Sequence, residues 1–94
     1  MKNIEWYYDP YDGCWLWRST GADGADFRFP YEFKVKIRTD PDADVHYYAT
    51  FYNGRYLKRE SRSYATLQEC KDAAAINIHR LAKIILKEDV PNYD

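Results

Sequence analysis

Tyr64-Ala65-Thr66-Leu67-Gln68-Glu69-Cys70-Lys71-Asp72-Ala73-Ala74-Ala75, running on through Ile76, Ile78, Leu81 and Ile85, is the stretch around which the chain is organised. Thr66 stands three residues ahead of Glu69, the spacing of a capping box: the hydroxyl accepts from an orphan amide and the carboxylate reaches back. At about 100° per residue, Leu67, Cys70, Ala74, Ile78, Leu81 and Ile85 fall on one narrow stripe. The spacing predicts a helix over 67–87. At 1.5 Å per residue it is a rod about 30 Å long, enough to cover one face of a small sheet.

The residues before it supply that sheet. Strands are predicted over 4–8, 14–18, 31–39, 45–52 and 56–63. Between them, Asp9-Pro10-Tyr11-Asp12-Gly13, Asp40-Pro41-Asp42-Ala43-Asp44 and Asn53-Gly54 are turn formers. Residues 19–30 read as a loop, with Phe27 and Phe29 beginning to tuck inward, and 88–94 as a loose tail. The cleanest strand alternates Phe33, Val35 and Ile37 against Lys34, Lys36 and Arg38. In the next, the pattern sets Val45, Tyr47, Ala49 and Phe51 inward and His46, Tyr48 and Thr50 outward. A two-residue loop at Asn53-Gly54 would bring Leu57 opposite Thr50, whereas a bulged loop Tyr52-Asn53-Gly54 brings it opposite Ala49 and into the core. Because a one-residue slip flips every side chain, the pattern favours the bulged loop. The expected fold is α+β, an antiparallel four- to five-stranded β-meander packed against one long C-terminal helix, in a single domain over 1–94.

Composition narrows the function classes. The chain is 46% hydrophobic and 18% aromatic, which excludes a disordered polymer. Its net charge of −1 gives no bulk attraction to nucleic acid or anionic lipid. The charge is uneven: residues 1–53 hold nine acids and six bases, residues 54–94 six acids and eight bases. Two distant cysteines, Cys14 and Cys70, with no signal-like or membrane-length apolar run, lead to the expectation of a soluble cytoplasmic protein.

Motifs of chemistry are sparse. Asp40, Asp42 and Asp44 are spaced like the first ligands of a calcium loop, but the sixth position is Val45 and the twelfth Phe51, so the segment reads as a turn. His46, His79, Cys14 and Cys70 have no ligand spacing, and both histidines are expected in solvent. No phosphate loop or nucleophile motif occurs. The chain is therefore expected not to be an enzyme and to need no cofactor or metal.

Two surfaces are candidates for binding. Arg55, Tyr56, Lys58, Arg59 and Arg62 interleave bases with an aromatic, as a ribbon touching phosphates would, and Lys34, Lys36 and Arg38 could extend that patch. Ile76, Ile84 and Leu86 lie on or beside the back of the helix, and Trp15 and Trp17 enrich the first hairpin, as protein-docking residues do. The segment Tyr47 through Ala75, with Tyr-Ala-Thr-Phe-Tyr-Asn-Gly-Arg and then Tyr-Ala-Thr-Leu-Gln-Glu-Cys-Lys-Asp-Ala-Ala, resembles the hairpin-plus-helix of Apetala-type DNA-binding domains and the arm-binding domains of phage integrases. That resemblance covers about a third of the chain, has Cys70 where the family has Ala, and implies a sheet that reads the major groove through Arg55–Arg62. Gly13-Cys14-Trp15-Leu16-Trp17 resembles the opening of small phage HNH nucleases, without the histidine pair that their activity needs. The function expected from these features is non-catalytic binding of a protein partner or a second copy, in a small accessory or inhibitor protein of phage type whose partner handles nucleic acid. A DNA-binding module using the 54–62 hairpin is the alternative, and a small hydrolase a distant third.

Overall fold

The computed structural model describes residues 4–19, 31–59 and 62–86, excepting the side chains of residues 58, 59, 85 and 86. The loop and tail expected over 20–30 and 88–94, with Phe27 and Phe29, lie outside the described residues. The elements are β1 (Tyr7–Asp9), β2 (Cys14–Arg18), β3 (Phe33–Asp40), β4 (Val45–Tyr52), β5 (Arg55–Arg59) and α1 (Leu67–Leu86). The strands form one sheet in the order β1-β2-β3-β4-β5, each pair antiparallel, with α1 across one face on β3 and β4. The α+β meander is the architecture the sequence predicts. Its first strand is shorter than expected. Its last ends at Arg59, beyond which Tyr64 and His46 exchange backbone hydrogen bonds of 2.8 and 2.9 Å.

Local chemistry explains the connections. The Asp9 carboxylate accepts from the amides of Tyr11 and Asp12, and Gly13 takes a left-handed φ of 66° that suits a residue without Cβ. Asp40 likewise accepts from the amides of Asp42 and Ala43, making the aspartate-rich segment a four-residue turn. At the start of α1 the Glu69 amide donates to the Thr66 hydroxyl at 3.1 Å. The Glu69 carboxylate accepts from that same hydroxyl at 2.9 Å, rather than from the Thr66 amide a full capping box would use.

Packing is set by bulk on the sheet and small residues on the helix. Trp17, Phe33, Val35, Ile37 and Tyr48 meet Cys70, Ala74, Ile78 and Ala82 in one buried cluster. Short side chains at 70, 74 and 82 let the helix axis approach an aromatic floor in which Trp17 and Phe33 meet edge to face, 5.6 Å between centroids. The buried stripe therefore includes Ala82, and Leu81 is only half-buried. Each large apolar side chain so buried is worth about 1.5–3 kcal/mol.

One register expectation is overturned. Val35 pairs with Thr50 and Ile37 with Tyr48, so the helix-facing side of β4 carries His46, Tyr48, Thr50 and Tyr52. Tyr47, Ala49 and Phe51 stand on the other face, opposite Arg38, Lys36 and Lys34. The Asp40 turn decides this: its four-residue loop brings Val45 opposite Asp40 and fixes every later pair. The next hairpin closes with two residues, Asn53 (φ 52°) and Gly54 (φ 75°), a pair of left-handed residues whose twist matches the strands. The odd residue sits instead in a bulge between Thr50 and Phe51. There Leu57 lies 44% exposed, not opposite Ala49 in the core, and Arg59 takes that pairing.

Candidate functional site

Among the described residues no element covers the second face of the sheet. Pairing carries Tyr7, Leu16, Lys36 and Ala49 across it in one row, and Arg18, Lys34, Phe51 and Tyr56 in another. Phe51 meets Tyr56 edge to face at 5.6 Å, and the ammonium groups of Lys34 and Lys36 lie 6.0 and 5.7 Å from the Phe51 ring centroid. Tyr7 and Tyr56 are about half exposed, and Tyr47 and Phe51 half-buried.

Lys34, Lys36 and Arg38 on this face are already engaged, whereas Arg18 is exposed with no ion pair among the described residues. Asp12, from the first turn, accepts from Lys36 Nζ at 2.7 Å and from Arg38 Nη2 at 3.0 and 3.1 Å, while Arg38 Nη1 donates to the Asp12 carbonyl. Lys36, then Arg38, hold the Asp12 carboxyl well below the usual carboxylate range. That hydrogen bond in turn raises Arg38. Burial, then the hydrogen bond to Asp12, pushes the Cys14 thiol up, so Cys14 is a protonated, poorly nucleophilic group. Lys34 comes within 3.9 Å of Glu32.

The basic hairpin does not form one patch. Arg55 pairs with Tyr52 and so stands on the helix side of the sheet, whereas Tyr56 pairs with Phe51 on the uncovered side. Lys58 and Arg59 belong to β5, but their side chains lie outside the described residues. Arg62 is exposed and lines a groove beside α1 with Tyr48, Tyr64, Ala73, Ile76, Asn77 and Arg80.

The docking candidates also separate. Ile76 and Ile84 are exposed on the helix, and Leu86 closes it with its side chain outside the described residues. Trp15 is half-buried, with Tyr8 against its edge and the Lys71 ammonium 3.7 Å from its ring centroid. Trp17 has no exposed surface and is a core residue, since its partner Val35 belongs to the floor under the helix. His79, expected in solvent, is 4% exposed on α1, and His46 shares a 2.8 Å hydrogen bond with Thr39. Cys14 and Cys70 are free thiols buried on opposite sides of the sheet. No group of three His, Cys, Asp or Glu side chains converges among the described residues, and no described helix is long and apolar enough to cross a membrane.

The sequence pattern does not single out Asp12 or Tyr7, and it sets Tyr47 and Phe51 inward, so none of the four is a candidate for this face from sequence alone. The Asp12 network joins positions 24 and 26 residues apart, which no local spacing reveals. Tyr47 and Phe51 were assigned to the core by the apolar alternation of β4. Compared with known protein families, with curated proteins and with solved structures, the chain matches none of them.

Proposed function

We propose that the chain is a non-catalytic binding module that docks a protein partner on the uncovered face of its sheet. One observation carries the reading: Tyr7, Tyr47, Phe51 and Tyr56 stand on a sheet face that no described element covers. Rigid aromatic anchors with Arg beside them are the composition of interface hot spots, and a merely solvated face needs none of them. A protein suits this face better than a nucleic acid. Lys36 and Arg38 are bound to Asp12, Arg55 and Tyr56 stand on opposite sides of the sheet, and the chain's net charge is −1.

The test is affinity capture from an extract of the source cells, with and without nuclease, using the native chain, Tyr56→Asp and Ile84→Asp. The expected partner survives nuclease treatment, is lost with Tyr56→Asp at an unchanged thermal midpoint, and is retained with Ile84→Asp. Light scattering on the purified chain reports whether the partner is a second copy. Capture that vanishes with nuclease would transfer the face to nucleic acid. Loss with Ile84→Asp alone would move docking to the helix back.

A further inference from the structure

The uncovered face of the sheet has two unlike ends. The β1–β2 and β3–β4 turns lie at one end of the strands and the β4–β5 hairpin at the other. At the first end the Asp9 and Asp40 carboxylates accept from backbone amides of their own turns, and Asp42 and Asp44 are exposed beside them. None of these four makes an ion pair among the described residues. At the second end Arg18 is exposed on the face, and Arg55 is exposed in the hairpin, on the helix side of its strand. Neither makes an ion pair among the described residues. The other cations of the face have partners: Lys36 and Arg38 share Asp12, and Lys34 lies 3.9 Å from Glu32.

A surface with open carboxylates at one end and an open guanidinium at the other complements a copy of itself turned end for end. A two-fold axis in the interface, running across the strands, makes that arrangement. It lays the aspartate turns of each copy over the Arg18 end of the other, and it sets Phe51 of each β4 towards Tyr47 of the other. A two-fold axis along the strands would instead place aspartate on aspartate, which costs affinity. At about 0.1 M salt, charges act on each other over about 10 Å, so the match needs no single atom-to-atom pair. The face also has the area. Five strands about 4.8 Å apart, with β3 and β4 each about 26 Å long, give a footprint of about 500 Å². Two such faces bury on the order of 1,000 Å² together, the lower bound of a specific interface and the regime of a weak, reversible dimer.

We propose that the protein partner of this face is a second copy of the chain, packed sheet on sheet and end for end, an inference that rests on the docking face proposed above. Tyr7, Tyr47, Phe51 and Tyr56 form the apolar contact, and Arg18 with the aspartate turns fixes its direction. Because the same surface is used by both copies, one pair closes the contact and assembly stops at the dimer.

The test is sedimentation equilibrium of the purified full chain from about 1 μM to about 1 mM, the span in which weak interfaces become populated. A monomer–dimer equilibrium with no larger species is expected. Tyr56→Asp should leave a monomer, and Ile84→Asp, on the helix back, should leave Kd unchanged. Arg18→Glu and Asp42→Lys, both at exposed positions, should each raise the dimer Kd about tenfold, since every dimer contains the altered contact twice. An equimolar mixture of those two variants should dimerise more tightly than either alone, because in the mixed dimer both contacts again join opposite charges. A chain that stays monomeric at about 1 mM overturns the inference and leaves the face to a different protein, whose loss with Tyr56→Asp in affinity capture separately tests the docking face. A dimer insensitive to Tyr56→Asp also overturns it and places association on another surface. A dimer lost with Tyr56→Asp, but whose variant mixture gains nothing, overturns the end-for-end arrangement.

Discussion

On the helix side of the sheet, Trp17, Phe33, Val35 and Ile37 expose 1% of their surface or less; on the other side, Tyr7 and Tyr56 expose 48% and 54%. Both faces are rich in aromatic side chains, so hydrophobicity does not distinguish them. What does is the layer above. On one side Cys70, Ala74, Ile78 and Ala82 let a helix settle onto the rings. On the other side the rings stand among Lys34, Lys36 and Arg38, and although Cys14 and Leu16 of that face are buried, Tyr7 and Tyr56 keep about half of their surface accessible. A face of this kind tolerates water but is not built for it alone, and that is why it carries the functional proposal.

The sharpest way to break the comparison is to put the same charge on each face at neighbouring positions. Thr50 is fully buried opposite Val35, and Ala49 is half-buried opposite Lys36. Thr50→Lys is expected to cost more than about 4 kcal/mol or to prevent folding, because it strands an unpaired ammonium in the core. Ala49→Lys is expected to stay within about 1 kcal/mol, with a crowding cost from its basic neighbours but ready access to water. Urea unfolding measures both. Comparable losses at the two sites would mean the faces of β4 are assigned the wrong way round.

The difficulty of reading β4 from the sequence is instructive. In β3 one set is apolar and the other purely basic, so alternation identifies the core side without ambiguity. In β4 both sets are largely apolar or aromatic, and the set with the stronger hydropathy, Val45, Tyr47, Ala49 and Phe51, is the one turned away from the helix. Turn chemistry outweighs hydropathy here: the Asp40 side chain organises the loop, and Asn53 and Gly54 both adopt positive φ. The helix, by contrast, was legible from its capping pair and apolar stripe, because those signals lie within a few residues of one another. Neither the Asp12 network nor the Arg62–Arg80 groove has such a signal, since each depends on pairings established only once the sheet has formed.

A smaller contrast runs along α1 itself. Ile78 is fully buried between helix and sheet, and Ile76, two residues earlier, is half exposed. Ile78→Ala should cost about 2–5 kcal/mol, the transfer of the lost methylenes plus the cavity left under a helix that cannot collapse onto the sheet. Ile76→Ala should change stability by less than about 0.5 kcal/mol, as surface substitutions do. Half-buried Leu81 should fall between them. Equilibrium unfolding of the three variants checks this order, and a large loss at Ile76 would show that the groove face is packed more tightly than its exposure indicates.

The smallest expected effect lies on the uncovered face and depends on pH. Asp12 has its folded-state pKa depressed by Lys36 and Arg38, so it contributes stability that is present above the unfolded carboxylate pKa of about 4 and is lost as pH falls through the folded value. The carboxylate retains 35% side-chain exposure, so solvent screens the pair and the contribution is modest. Asp12→Asn should therefore lower the thermal midpoint slightly at neutral pH, and the gap between variant and native chain should close progressively as the pH is taken below 4. Added salt should narrow the same gap at neutral pH, because exposed ion pairs are screened. If the gap is independent of both pH and salt, Asp12 acts through its turn and its neutral hydrogen bonds, and Lys36 and Arg38 are freer to meet an anionic partner than the ion pairs imply.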